Sequence, residues 1–141
     1  GTDAPRIFRA LVEATAFGSK AIVDRFKEEG LQMDQVIAQG GIPGKNQFVM
    51  QVTADVLDMP IKVVKSEQSV ALGAAMFAAI AGGRFKDVKL AQDAMGSGYS
   101  TVYTPVPASV QHYEGLYQKY LTIGEMLQDT LRSLAWEGYD A

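Results

Sequence analysis

The sequence predicts an α/β fold in which two short parallel strands with flanking helices form an incomplete sheet. Two short apolar segments bounded by polar residues, 34–39 and 61–65, suit buried strands, and the second is rich in β-branched residues. A segment with helical periodicity, 45–58, separates them, and a single-helix crossover joins parallel strands with a right-handed connection. Two strands are few for this many helices, so we expect either the edge of a larger sheet or, as we favour, a part of a larger protein.

The first helix is predicted to begin at a cap on Thr2 or Asp3 and to end at Gly30. Pro5 falls in its first turn, where the missing N–H of proline costs nothing. Apolar residues then recur at steps of three and four, which predicts one buried stripe on this helix. The members of that stripe are Ile7, Leu11, Ala14, Gly18, Ile22 and Phe26.

The second helix, 45–58, is predicted to stop at Pro60. A third helix is predicted over 66–83, with Ser66 as its cap and Glu67 in its first turn, where a negative charge complements the helix dipole. Small residues dominate this third helix, so we expect it to pack closely against the sheet or against a neighbouring helix.

The C-terminal part of the chain is predicted to hold two further helices. A short helix covers 85–95, and a connecting stretch at 96–108 contains one candidate edge strand at 100–104. A long helix then runs over 109–135, and 136–141 are a tail. Tyrosines at helical spacing on the long helix favour contact with the core over a surface for stacking a sugar.

Composition excludes several classes of function. Among 141 residues there are 13 basic and 16 acidic side chains, a formal charge of -3, which does not favour nucleic acid as a partner. The chain has no cysteine, so disulfides and thiolate metal sites are excluded. No apolar stretch approaches the roughly 20 residues of a membrane span, and no signal peptide is predicted. We expect a cytoplasmic protein with no membrane partner.

A cluster of glycines follows the first predicted strand and precedes the second helix, in "GGIPGKN" (40–46). Such junctions bind ligands in open α/β folds, because the helix N-terminus offers unpaired N–H groups and glycine admits close approach to the main chain. A sharp turn without a ligand explains the glycines equally well. The segment is neither a GxGxxG fingerprint nor a GxxxxGK[ST] phosphate loop, since Asn46 stands where Ser or Thr is required.

Longer motifs point to a family. The stretch "GGIPGKNQFVMQVTADVLDMPIKVVKSEQSVALGAAMFAA" (40–79) resembles the C-terminal signature of the FGGY carbohydrate kinases, and "RALVEATAFGSK" (9–20) resembles the helix that precedes it. The details "SEQ", "ALGAA" and "AQDAM" resemble one branch of the family, the kinases that act on ribulose. This resemblance covers nearly the whole chain.

The resemblance implies a two-lobed kinase of the actin/Hsp70/hexokinase type, with ribonuclease H-like lobes that hold ATP between them. Residues 1–135 would be the C-terminal segment of the second, nucleotide-binding lobe, and 136–141 its tail. The implied cofactor is ATP or ADP with Mg²⁺. The sugar would contact the other lobe, and the implied setting is arabinose catabolism.

Residues are carried over from the family motif one by one. The paired glycines, Gly40 and Gly41, would approach the nucleotide phosphates, and Asn46 would contact the adenine. Ile42 and Lys45 lie between them and complete the implied nucleotide-binding set.

No catalytic residue is assigned, because the catalytic aspartate of the family lies upstream of the matching segment. Asp55 and Asp58 are expected to be solvated or capping residues on a helix, and Asp87 and Asp93 also match no motif. His112 has no cysteine or acid at ligand spacing, so no metal site is predicted. The isolated chain is therefore expected to be inactive.

Three functions remain open from the sequence. The first is part of a kinase that phosphorylates ribulose, and the second is part of an FGGY kinase for xylulose, glycerol or gluconate. The third is a nucleotide-binding or interaction module without catalysis. A dehydrogenase is disfavoured, since the GxGxxG turn is missing. An incomplete sheet would expose apolar surface, so a homo-oligomer is also expected to be possible.

Overall fold

The computed structural model describes residues 1–135, and the tail predicted at 136–141 lies outside them. Within the described range the chain forms five helices and three strands, and none of these helices is long and apolar enough to cross a membrane. In chain order the elements are α1 (Ala4–Glu28), β1 (Val36–Ala38), α2 (Gln47–Leu57), β2 (Ile61–Val64), α3 (Ser69–Ala81), α4 (Val88–Met95), β3 (Tyr99–Tyr103) and α5 (Pro107–Ala135).

The three strands form one small mixed sheet in the order β1-β2-β3. β1 and β2 are parallel, with Val36 opposite Ile61, as the single-helix crossover predicts. β3 runs antiparallel to β2, with Tyr103 opposite Ile61, and it confirms the candidate edge strand. Within residues 1–135 the outer edge of β1 has no neighbouring strand, so the sheet is incomplete as predicted.

α2 lies at the centre of the fold. Six of its eleven residues are buried, because it faces α1 and α5 on one side and the sheet on the other. The first apolar cluster joins α1, α2 and α5 through Val12, Ala16, Phe17, Val52, Val56, Tyr113 and Tyr117. The second joins α1, α2 and β2 through Val23, Met50, Ala54, Leu57, Met59 and Ile61.

The ends of α1 are as predicted, but its buried face is not. The Asp3 carboxylate accepts a hydrogen bond from the Arg6 N–H at 3.0 Å, and Gly30 follows the helix with a φ of 86°. The predicted stripe is wrong, since Leu11 is 63% exposed and Ile22 is 59% exposed. The buried face lies roughly 100° around the helix, about one residue's rotation from the predicted stripe. α1 has apolar residues on two faces, and α2 covers the face that was not predicted to be buried.

α3 begins later than predicted and is not packed closely. Its first residue is Ser69, and its N-cap Gln68 makes no side-chain capping bond. The predicted cap, Ser66, instead accepts the Gln68 N–H at 3.2 Å in a turn that delays the helix. None of the α3 residues is buried, and Phe77 is 63% exposed. In the described part of the chain α3 contacts the neighbouring helix α4, which is one of the two expected partners, but it is not buried by that contact.

α5 is buried only along its first half. Tyr113 and Tyr117 belong to the core, as predicted for the tyrosines at helical spacing. From Ile123 onward the apolar side of the helix is exposed, including Leu127 and Leu131. The first half of α5 therefore packs on the fold, and the second half extends from it.

A buried carboxylate fixes the start of α5. The Asp55 side chain is 5% exposed, and its Oδ1 accepts the Val106 N–H and the Gln51 amide, both at 2.8 Å. Val106 lies between two prolines, so its N–H is the one that this linker can offer. Gln51 also donates to the Thr104 carbonyl at 3.0 Å. The expectation that Asp55 is solvated is thus wrong. Its carboxylate instead accepts a hydrogen bond from Val106, the residue directly before α5, and so holds the start of a helix other than its own.

We predict that Asp55→Ala lowers the free energy of unfolding by about 2 kcal/mol, because it removes a buried charged acceptor of two hydrogen bonds, from the Val106 N–H and the Gln51 amide. The matched control is Asp93→Ala on α4, whose carboxylate is exposed and pairs with Lys89. This control should cost less than about 0.5 kcal/mol. Urea unfolding followed by circular dichroism measures both, and equal losses would contradict the capping role.

Candidate functional site

The glycine bend, residues 40–46, connects β1 to α2. Gly40 has a φ of 100°, a conformation that favours glycine. The Ile42 carbonyl then accepts the N–H groups of Lys45 and Asn46, both at 3.0 Å. These two bonds close the turn and direct the chain into the first residue of α2.

The main chain of the bend is exposed, and its donors are free. Among the hydrogen bonds of residues 1–135, none uses the N–H of Gly40, Gly41, Ile42 or Gly44. All four residues are exposed. Consecutive free N–H groups beside the positive end of a helix dipole attract anions. The bend can therefore bind a negatively charged group through its main chain.

Two glycines of the bend are not explained by the protein itself. Gly41 and Gly44 have no left-handed φ, and a Cβ added at either would meet no atom within 4 Å. Neither backbone strain nor packing among the described residues requires glycine there. The approach of a molecule from outside would explain a bare main chain at these positions.

Asn46 is the N-cap of α2. Its Oδ1 accepts the Val49 N–H at 3.2 Å, which fixes the orientation of the side-chain amide. The Nδ2 group donates to no acceptor among residues 1–135. The side chain therefore performs a structural role with its oxygen and keeps its nitrogen available for a ligand.

An apolar groove opens beside the bend, between α1 and α2. Its volume is about 720 Å³, within the usual range for small-molecule sites. Four of the five predicted nucleotide-binding residues line it, namely Gly41, Ile42, Lys45 and Asn46, and Gly40 lies just outside. The other lining residues are Phe8, Leu11, Val12, Thr15, Val49 and Thr53.

Sequence reasoning missed the α1 side of this groove. Phe8, Leu11 and Thr15 come next to the bend only because α1 packs along α2, and no local pattern specifies that pairing. Leu11 belonged to the predicted buried stripe of α1. Its exposure beside the bend, which shows that α1 lines the groove, is visible only in the structure.

The other acidic residues considered from the sequence have structural roles. Asp58 ends α2 in a left-handed conformation with a φ of 49°, and Asp87 caps α4 by accepting the Leu90 N–H at 2.9 Å. Neither these nor Asp55 or Asp93 lines the groove beside the bend. Among the described residues no three acidic or histidine side chains converge as a metal site would, so these residues do not fit Mg²⁺ by themselves.

Two of the three tyrosines of α5, Tyr113 and Tyr117, are core residues. Burial, aided by the nearby Asp24 carboxylate, raises the pKa of Tyr117 to about 12. The Tyr113 hydroxyl donates to Glu13 Oε1 and accepts from Arg9 Nη2, both at 3.3 Å. Arg9 Nε also donates to Glu13 at 2.7 Å.

Comparison with known proteins identifies the family. Residues 1–82 match the model of the FGGY family of carbohydrate kinases, C-terminal domain. The match covers more than half of the chain, so the chain belongs to this family of kinases. The resemblance found in the sequence is confirmed.

Two curated relatives of similar sequence are both ribulokinases. The chain is 43% identical over 123 residues to the ribulokinase of Geobacillus thermodenitrificans, an alignment that covers 84% of this chain and 22% of the relative. It is 44% identical over 128 residues to the ribulokinase of Vibrio parahaemolyticus, with coverages of 91% and 23%. The chain thus spans about a fifth of the length of the curated relatives it matches.

A solved structure confirms the fold class. The ligand-bound xylulose kinase from Lactobacillus acidophilus superposes with a TM-score of 0.78 at 26% identity, over 89% of this chain and 25% of that chain. The small mixed sheet and its helices are therefore those of the C-terminal part of a carbohydrate kinase, as the predicted fold class requires.

We predict opposite effects on stability for two neighbouring substitutions in the bend. Gly40→Ala should destabilise the fold by about 1–2 kcal/mol, because alanine is strained at this φ. Gly41→Ala should be neutral or stabilising by up to about 1 kcal/mol, because nothing lies near the added methyl group. Thermal melts of both variants test this, and a large loss for Gly41→Ala would show that the fold itself requires that glycine.

Proposed function

We propose that this chain is the nucleotide-binding part of an ATP-dependent carbohydrate kinase. Residues 1–135 would form the C-terminal segment of the second lobe, and 136–141 its tail. The observation that carries the proposal is the bare, exposed main chain at Gly41 and Gly44, which nothing in the fold explains. The free N–H groups beside the start of α2 fit phosphate oxygens.

Each residue of the bend has a distinct role in this proposal. Gly40 and Gly41 approach the phosphates, and the N–H groups of the bend donate to them. Lys45 is exposed and offers a positive charge at the same edge. Asn46 donates its free Nδ2 to the base, and Ile42 offers an apolar surface. The nucleotide supplies the γ-phosphoryl group, while a bound Mg²⁺ would require ligands from outside these residues.

We further propose that the acceptor sugar is ribulose, so that the reaction gives ribulose 5-phosphate and ADP. The two relatives that are 43% and 44% identical are both ribulokinases, whereas the xylulose kinase is 26% identical. This difference supports ribulose over xylulose, and the same branch assignment places the enzyme in arabinose catabolism. The proposal includes a cytoplasmic location, where ATP is available.

A second candidate is a module that binds a nucleotide or a partner without catalysis. The exposed apolar residues of α1 and α5 favour it, because such surfaces also serve association, including self-association. The two candidates share the nucleotide site and differ in whether a sugar is phosphorylated.

We predict that ADP shifts the amide resonances of residues 40–46 in an NMR titration of the chain, with binding in the millimolar range. Gly41→Ala should reduce these shifts, because its methyl group occupies the space of the phosphates. The matched control is Gly73→Ala, also at a glycine with open space around it, on α3. Shifts confined to other regions, or none at millimolar ADP, would refute the site.

We also predict the sugar preference of the complete protein that contains this chain. A coupled assay of ADP release should give faster turnover with ribulose than with xylulose, gluconate or glycerol. The isolated chain should give no turnover, because it has no catalytic aspartate. A preference for another sugar would refute the ribulose assignment, and ribulose-dependent turnover by the isolated chain would refute the division of roles.

A further inference from the structure

A separate cavity lies at the C-terminal end of α2, between that helix, α1 and the start of α5. Its volume is about 610 Å³, and none of the residues of the glycine bend lines it. We propose that this cavity binds a neutral compound with several hydroxyl groups, of the sugar or sugar-alcohol class. The glycine bend precedes the other end of α2, roughly 16 Å away along the helix, so the cavity is distinct from the proposed nucleotide site.

Lys20 brings unused hydrogen-bond donors to the cavity. Its side chain is 14% exposed, and its ammonium lies 3.8 Å from Asp24 Oδ2 and 3.6 Å from Glu114 Oε2. Both separations exceed the length of a charge-assisted hydrogen bond, about 2.7–2.9 Å. The ammonium also lies 5.1 Å from the centre of the Tyr117 ring, which attracts the cation but is no hydrogen-bond acceptor of the usual kind. The charge of Lys20 is therefore balanced by its neighbours, while these neighbours leave its N–H groups for a ligand.

The end of α2 brings unused acceptors to the same cavity. Val56 and Leu57 are 3% and 4% exposed, and both lie in the last turn of α2. Among the hydrogen bonds of residues 1–135, none ends on the carbonyl of either residue. Buried carbonyls need a partner, and the last turn of α2 has no basic residue that could provide one. A hydroxyl group inside the cavity would supply the missing donor.

The charges that line the cavity balance one another. Lys20 and Lys27 are positive, whereas Asp58 and Glu114 are negative. An anion would meet the two carboxylates and the negative end of the α2 dipole, and a cation would meet the two ammonium groups. A hydroxyl group both donates and accepts. A neutral compound with several hydroxyl groups can therefore pair with the lysine N–H groups and with the carboxylate and carbonyl oxygens at once.

The remaining lining suits the apolar side of such a compound. Pro105, Pro107 and Val110 form an apolar surface against which the C–H groups of a sugar can pack, and Gln111 adds one uncharged amide. A cavity of this volume, with an apolar surface and a few polar groups that fix orientation, is typical of small-molecule sites.

The test titrates ribitol, a sugar alcohol, into the full 141-residue chain and follows amide resonances by NMR. We expect binding in the millimolar range, with shifts at residues 56–58 and at Gln111. Lys20→Met keeps the aliphatic stem and removes the ammonium, so it should weaken ribitol binding about fivefold, the effect of one lost hydrogen bond. The matched control is Lys119→Met, at an exposed lysine of α5 outside the cavity, which should leave ribitol binding unchanged.

Three results would overturn the proposal. If no resonance around the cavity shifts at high ribitol concentration, the cavity holds only water. If acetate or putrescine shifts these resonances more than ribitol does, the cavity suits an ion and the assigned class of ligand is wrong. Gln111→Ala is a second variant at an exposed residue, so it should leave the fold intact and also weaken ribitol binding. If both variants bind ribitol as the unchanged chain does, ribitol binds elsewhere.

Discussion

The rest of the structure depends on the burial of α2 from two sides. Its residues contact α1 and α5 through one apolar cluster and the sheet through another. A helix held on both sides cannot rotate or slide without opening a core. Its N-terminus therefore stays at the end of β1, and the glycine bend that joins them is presented to the outside in one conformation. The candidate site is a product of this packing.

The division of labour within the bend follows from hydrogen bonding. The Ile42 carbonyl and the Asn46 side chain satisfy the donors that would otherwise loosen the start of α2. The glycine amides are left over, because no acceptor of the described residues is within reach of them. In the proposed site, stability and binding would thus use different atoms of the same seven residues. This arrangement explains why a single short bend contains three glycines, one of which the backbone conformation alone requires.

The local features of the chain could be read from its sequence. Pro5, Gly30 and Pro60 mark helix ends through backbone chemistry that does not depend on the surroundings, and the strand at Ile61–Val64 follows from its β-branched residues. The glycine pair and Asn46 could also be read as a candidate site, since their spacing belongs to a motif. The sequence could not show which elements distant along the chain contact one another. The covered face of α1, the partner of Asp55 and the α1 side of the groove all depend on which helices meet.

The link between Asp55 and Val106 has a mechanical consequence. Prolines on both sides of Val106 stiffen the linker, and the buried Asp55 carboxylate ties it to α2, the helix that follows the bend. The start of α5 and the bend are therefore coupled through α2, which contacts the one and follows the other. A displacement of α5 would therefore act on α2 through this hydrogen bond and the shared apolar cluster, and so on the bend at the other end of that helix.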